Sequence, residues 1–422
     1  MRSEQDYDWI DFIAGKVKQY YHGRQVILWG KYGVSDSIKD KLKEEYGIDV
    51  GFYVDSDTGR IDNKSVFSPD CLVGEALNYY VVIPLAYYSS IKEKMSGGGD
   101  RDELDFFYFC DCIIKQEENY FEDAHGNRII GDYHGLKFAF SGFNSVIEIG
   151  KDVCFHNTCI YVHNDCKVII GNGACLCENI LLAKNSSGIC INDDASLTGC
   201  NVQVENFGNL RIEQKCNISF WQMNLGKYAS CLLGEETRIR GRNKYNKGKW
   251  IMEQNSELNI EGFGNFEDDG IIYMGENAVL KIGTEFSIQR RYDITLNSFT
   301  DIIIGNDCMF SYEVIMRSND GHTIFDINTG KNINSTKDVS QGRRIVIGNH
   351  VWIGARALIL YGARIGDGSI IGANSLVKKS IPNNCVVAGI PARVIRKNIA
   401  WSRKEGAENI MDCGKEYIHY TE

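Results

Sequence analysis

One hydrophobic phrase recurs through most of the chain. Ile149-Gly150 is followed by Ile170-Gly171, Ile191-Asn192, Ile212-Glu213 and Leu233-Gly234, each 21 residues after the last. Four residues beyond each aliphatic stands a small or β-branched residue: Val153, Ala174, Ala195, Cys216 and Thr237. The phase loosens between Gly241 and Gly270, returns at Ile282-Gly283 and Ile304-Gly305, and ends in a strict period of six at Ile347, Ile353, Ile359, Ile365, Ile371 and Val377. Such a repeat predicts short strands joined by sharp turns, with the aliphatics inward. One coil cannot bury its apolar side alone, so coils stack at about 4.8 Å and share a backbone ladder. The 21-residue coils exceed three plain hexads by three residues, which predicts either a widened corner or loop in each or a different solenoid cross-section over 145–240.

The front of the chain follows another rhythm. The apolar run VILW at 26–29 leads into Gly30-Lys31-Tyr32-Gly33, then a helical stretch with Ser35 or Asp36 as N-cap, then Val50-Gly51-Phe52-Tyr53-Val54 and Asp55. Strand, glycine turn, helix, strand and acid form the opening of a Rossmann-like unit. Further strands are expected at 79–84 and 106–110, and a helix at 9–17. The expected organisation is a Rossmann-like α/β domain over 1–130, a solenoid over 131–396 and a tail over 397–422. The first boundary falls in the polar stretch 117–135. Gly30 and Gly33 suit either a nucleotide pocket or a purely structural turn.

Composition narrows the function. Of 422 residues, 43% are hydrophobic and 24% charged, so the chain is globular, and a net charge of −10 argues against nucleic-acid binding. Forty-three glycines against four prolines suit many tight turns. Fifteen cysteines without any CxxC argue against a paired-cysteine metal site and for reduced thiols serving as small apolar side chains. No apolar run reaches the roughly 20 residues of a membrane helix, and the acidic start is unlike a signal peptide, so the expected location is the cytoplasm.

The candidate chemistry lies in the excursion between Arg317 and Gly354, which a solenoid does not need for its own sake. Asn319-Asp320-Gly321-His322 sets a histidine at a glycine turn, and imidazole can accept a hydroxyl proton near neutral pH. The phrases DGH, INSTKD and IGNHVWIG, followed by IPNNCVVAGIPARVIR, resemble the polysaccharide and sugar O-acetyltransferases of the hexapeptide-repeat acyltransferase family. The resemblance is close over about 282–396. It implies a left-handed parallel β-helix, a homotrimer, and acyl transfer from acetyl-CoA to a hydroxyl of a capsular or surface polysaccharide, without a metal.

On this resemblance His322 matches the catalytic base, with Asp320, Glu313 or a backbone carbonyl orienting its ring. Asn306 stands where relatives often carry aspartate. Trp352 matches a tryptophan of the acetyl-CoA channel, with solenoid packing as the alternative. The backbone at Gly354, Ala355, Gly372 and Ala373 would face the pantetheine arm. Ser375, Lys378, Lys379, Arg393 and Arg396 would serve the CoA end, with Pro391 near the adenine. The eight histidines lack the spacing of a zinc site. N-acetylation of a nucleotide-linked amino sugar, or a non-catalytic scaffold, are the competing readings.

Overall fold

The structure, a computed structural model, describes residues 14, 17–18, 21, 23–29, 33–54, 66–67, 79–83, 106–108, 113–123, 126–242, 248–335 and 344–419. Contacts divide the chain into two compact units. One gathers Met1–Ile129, Lys137–Ser145 and Ile160–Asp165, and the other Ile130–Leu136, Val146–Cys159 and Cys166–Glu422.

The larger unit is a parallel β-solenoid with three faces. Strands of the first face run from Val146–Ile149 through Lys167–Ile170 and Gly188–Ile191 to Ser380–Ile381. The second face begins at Cys154–His156, and the third includes Ile180–Ala183 and ends at Leu376–Val377. The repeat seen in the sequence is a column in space. Ile149 pairs with Ile170, Ile170 with Ile191, Ile191 with Ile212 and Ile212 with Leu233. The column continues through Ile260, Ile282, Ile304, Ile347, Ile365 and Ile381, so every insertion is absorbed without a change of register. Ile170, Ile191, Ile212 and Leu233 are almost wholly buried, and each such side chain contributes about 1.5–3 kcal/mol. Because strand residues alternate faces, a one-residue slip would turn this whole column outward.

The longer coils owe their length to two sides. In a late coil six residues separate the inward Ile347, Ile353, Ile359 and Ile365 at every step. In an early coil the steps from Ile170 to Leu176, Leu181 and Ile191 are six, five and ten. The third and first faces are therefore wider early on, each turning two residues inward, as Leu181 with Ala183 and Ile189 with Ile191. The extra residues lengthen strands and enlarge the core.

In the smaller unit five parallel strands stand in the order Val66–Phe67, Val50–Val54, Gln25–Trp29, Tyr79–Ile83, Phe106–Tyr108. The helix Gly33–Tyr46 begins before Ser35 and Asp36, so both residues lie in its first turn. Asp36 accepts a hydrogen bond from the Tyr53 hydroxyl at 2.7 Å, and burial followed by this bond pushes that phenol up. Val26, Leu28, Ile38, Leu42 and Val82 form its core. A doubly wound domain needs helices on both sheet faces, and among the described residues of this sheet region only this one stands complete. The expected Rossmann-like domain is accordingly not shown, and Gly30 and Asp55 lie outside the described residues. No described helix is long and apolar enough to cross a membrane.

Candidate active site

The excursion leaves the solenoid after the strand Ile315–Arg317 and returns at Ile345–Ile347. Its root is fixed from below. The fully buried Ser318 hydroxyl lies 2.6 Å from that of Thr300 and accepts the Asn297 amide at 2.9 Å. Arg317 donates to both oxygens of Asp293, at 2.7 and 2.5 Å. The Asn319 side chain then accepts the Gly321 amide, and Gly321 has a φ of 83°, a left-handed turn that favours glycine. Beyond it Phe325 and Asn332 form an antiparallel bridge, which makes the segment a short arm.

Asn334 holds the turn from inside. It is buried, accepts the Ile324 amide at 2.7 Å, and donates to the His322 carbonyl at 2.7 Å and to Asp320 Oδ2 at 3.1 Å. The Tyr361 hydroxyl, one coil on, donates to the same Asp320 oxygen at 3.2 Å. Asp320 thus ties the turn to the prism, and among the described residues no group bonds to the exposed His322 ring. The backbone of His322 is held while its imidazole faces outward.

Glu313 sits at another corner, between the second and third faces, with a φ of 59°. Its carboxylate accepts from Arg356 at 2.7 Å and pairs with Arg291. The Arg356 hydrogen bond, followed by the charges of Arg291, Arg356 and Arg290, holds it below the usual carboxylate range. Glu313 is thereby committed to arginines, and no bond joins it to His322. The same corner carries a recess of about 260 Å³ lined by Arg242, Asp268, Asp269, Arg290 and Arg291.

The residues expected near the acyl donor are spread over the last coils. Trp352 is 39% exposed on the second face and lies tilted against Trp401 at 5.9 Å. A side chain at Gly354 would come within 2.7 Å of the Ala373 amide nitrogen, and one at Gly372 within 3.0 Å of Ala388 Cβ. Coil-to-coil approach alone therefore accounts for both glycines. Ala355 is half-buried and Ala373 exposed. Ser375 is buried, and its hydroxyl accepts the Gly389 amide at 3.1 Å. Lys378, Lys379, Pro391, Arg393 and Arg396 are exposed, the last three in or beside the closing hairpin of Val386–Gly389 and Ala392–Arg396. Asn306 belongs to a corner ladder. Its side chain accepts the Thr284 amide and its own amide donates to Asn349, which in turn donates to Asp367, and Asp367 to Asn383. The described residues contain no group of three or more potential ligands able to hold a metal ion.

The tail carries a cluster that sequence reasoning missed. Buried His350 has Nδ1 2.5 Å from Asp307 and Nε2 2.8 Å from the Trp401 carbonyl. Its ring stacks on Trp401 at 3.9 Å and on Tyr417 at 5.3 Å. Trp401 returns a bond from Nε1 to the His350 carbonyl, and Arg403 donates to Asp307, Ser287 and the Cys308 carbonyl. Burial pushes the Asp307 carboxyl up, but hydrogen bonds from His350 and Arg403 and the guanidinium charge outweigh it and hold the group below the usual range. The sequence signal was three aromatics, Trp401, Tyr417 and Tyr420, in a mainly polar tail.

A three-faced parallel solenoid bearing the turn at His322 is the framework on which the comparisons fall. The family model "Bacterial transferase hexapeptide (six repeats)" matches residues 344–379, the region of the 18-residue coils. The polysialic acid O-acetyltransferase of Escherichia coli O1:K1 / APEC is 36% identical over 148 residues, 35% of this chain and 46% of that protein. The galactoside O-acetyltransferase of Escherichia coli strain K12 is 58% identical over 36 residues, 8% of this chain and 18% of that protein. The chain spans less than half the length of these curated relatives. Among solved structures, the polySia specific acetyltransferase NeuO is 23% identical, with 63% of this chain and 86% of that chain covered and a TM-score of 0.34. The chain resembles the hexapeptide-repeat acyltransferases and, within them, the capsular polysaccharide O-acetyltransferases.

Proposed function

We propose that the chain transfers an acetyl group from acetyl-CoA to a hydroxyl of a capsular or other surface polysaccharide, with His322 as general base. The observation that carries this reading is the held turn. Asn334 and Asp320 immobilise the backbone around His322 and leave the imidazole exposed to a substrate. The relatives' printed names supply the acetyl group and the polysaccharide. In the reaction the imidazole takes the acceptor's hydroxyl proton as the oxygen attacks the thioester carbonyl. A new C–O bond forms, the C–S bond breaks, and the proton passes to the departing thiol. Asp320 acts on the turn rather than the ring, and Glu313 on the neighbouring corner. The solenoid is read as left-handed and trimeric by the same resemblance. The decisive experiment incubates the protein with labelled acetyl-CoA and a panel of polysaccharides and nucleotide sugars. Label on a polysaccharide hydroxyl is expected, and label on an amine alone would overturn the reading.

The basic end of the prism is assigned to CoA. Its phosphates need cations, and Lys378, Lys379, Arg393 and Arg396 are exposed on the last coils and closing hairpin of an otherwise acidic chain. The double change Lys379→Ala with Arg393→Ala is expected to raise KM for acetyl-CoA about thirtyfold, since each screened charge-assisted contact contributes about 1 kcal/mol and about 1.4 kcal/mol is a factor of ten. It should barely alter kcat, because the phosphates are held equally in ground and transition states. Equal KM values in both proteins would show that these cations only coat the end.

For the front unit we infer a Rossmann-like fold, supported by its parallel sheet and central first strand. If the turn beginning at Gly30 cradles a phosphate, calorimetry with nucleotide sugars gives heat that Gly30→Val abolishes. No heat with any nucleotide would leave the unit structural.

A further inference from the structure

Among the described cysteines two are exposed, Cys154 and Cys175. They are direct partners in neighbouring parallel strands of the second face. Cα atoms so paired stand about 4.8 Å apart, within the span a disulfide bridges, about 4.4–6.8 Å. Burial, then the adjacent Cys154 sulfur, pushes the Cys175 thiol up. Nothing in acetyl transfer uses this pair, which lies many coils before the His322 arm. Buried cysteines such as Cys166, Cys200, Cys216 and Cys231 serve the core as small apolar groups. An outward-facing pair gains nothing from that role.

We propose that Cys154 and Cys175 form a dithiol modification site that exchanges with small-molecule disulfides of the glutathione type. Cys154 is the attacking sulfur and Cys175 the resolving one. The Cys154 thiolate attacks the small disulfide, forming a mixed disulfide and expelling one thiolate, which takes up the proton Cys154 gave up. Cys175 then loses its proton and attacks Cys154 Sγ. The intramolecular bond forms, the mixed disulfide breaks, and a second small thiol leaves. Two protein thiols are oxidised and one small disulfide is reduced to two thiols, so electrons and protons balance. Paired side chains of flat parallel strands stand slightly farther apart than the Cβ atoms of a relaxed disulfide, about 3.8 Å, so the closed form is readily reduced again. Closing it staples one coil to the next.

The test incubates the full folded chain with glutathione disulfide, blocks remaining thiols with iodoacetamide, and maps peptides by mass spectrometry. The expected product is a Cys154–Cys175 peptide within one chain, reversed by dithiothreitol. Cys175→Ser is expected to stop at a glutathione adduct on Cys154. Cys154→Ser is expected to react at least tenfold more slowly at Cys175. Both variants should keep the wild-type circular dichroism spectrum and basal acetyl transfer. Wild-type protein that stops at an adduct, pairs Cys154 with Cys177 instead, or leaves both thiols open to iodoacetamide would overturn the proposal.

Discussion

Replacing His322 with alanine is expected to lower kcat for acetyl transfer by about 10²–10⁴-fold, the range that loss of a positioned general base produces. The fold should be untouched, because the imidazole is exposed and the turn is held through the His322 carbonyl, which alanine keeps. Acetyl-CoA binding measured by calorimetry should match the unaltered protein, since the ring accepts a proton rather than holding the donor. Asn334→Ala provides the contrast. It removes the amide that ties together the His322 carbonyl and Asp320, so kcat should also fall, with wild-type imidazole chemistry but a misplaced ring. Turnover of His322→Ala within about threefold of wild type would remove this residue from the mechanism.

The second large effect is expected at the other end of the chain. Trp401→Ala should destabilise the last coils by about 3–5 kcal/mol, the usual loss for a large buried aromatic. Trp401 covers the His350 ring and donates to its carbonyl, so alanine leaves a cavity and an unpaired oxygen together. A solenoid opens locally, and hydrogen exchange is the proper readout. The amides of His350, Trp352 and Gly368 should exchange at least about 10²-fold faster, while those of the early coils keep their protection. Acid should act on the same cluster. The Asp307 carboxyl is depressed in the folded protein, so its stabilising contribution is full above the ordinary value of about 3.9 and is lost as pH falls through the lower folded value. In Asp307→Asn that part of the acid sensitivity should vanish. Unchanged exchange in Trp401→Ala would show that the tail merely rests on the prism.

The stacked column was legible in the sequence because an inward aliphatic must recur at a fixed interval for coils to share a core, as Ile170, Ile191 and Ile212 do. The division of 21 residues among three sides was not legible. A period gives only the total, and it took the inward positions Leu176, Leu181 and Ile191 to show where the added residues lie. The turn at His322 could be read from its glycine and its neighbours. Its clamp could not, since Asn334 and Tyr361 lie 12 and 39 positions further along and signal nothing locally. Asn306 drew attention because it stands where relatives often carry aspartate, and its amide group spans coils at a corner. Any asparagine at such a corner reads the same way in sequence. The stacking of Trp401 on His350 was equally hidden, because nothing in a chain's order shows which two distant rings will meet.

The unbroken column from Ile149 to Ile381 makes the prism a graduated ruler. Each coil advances its successor by one strand spacing, about 4.8 Å, whatever its own length. The 43 residues from Ile304 to Ile347 advance it no further than the 18 from Ile347 to Ile365. Distances along the axis are thus counted in whole steps, while loops of any size can be hung at a step without moving the marks above. Removing one complete early coil, such as Lys167–Ser187, would shorten the rod by a single graduation and carry the His322 arm, the basic end and the tail along as a block. Length and chemistry can then vary independently in such a molecule.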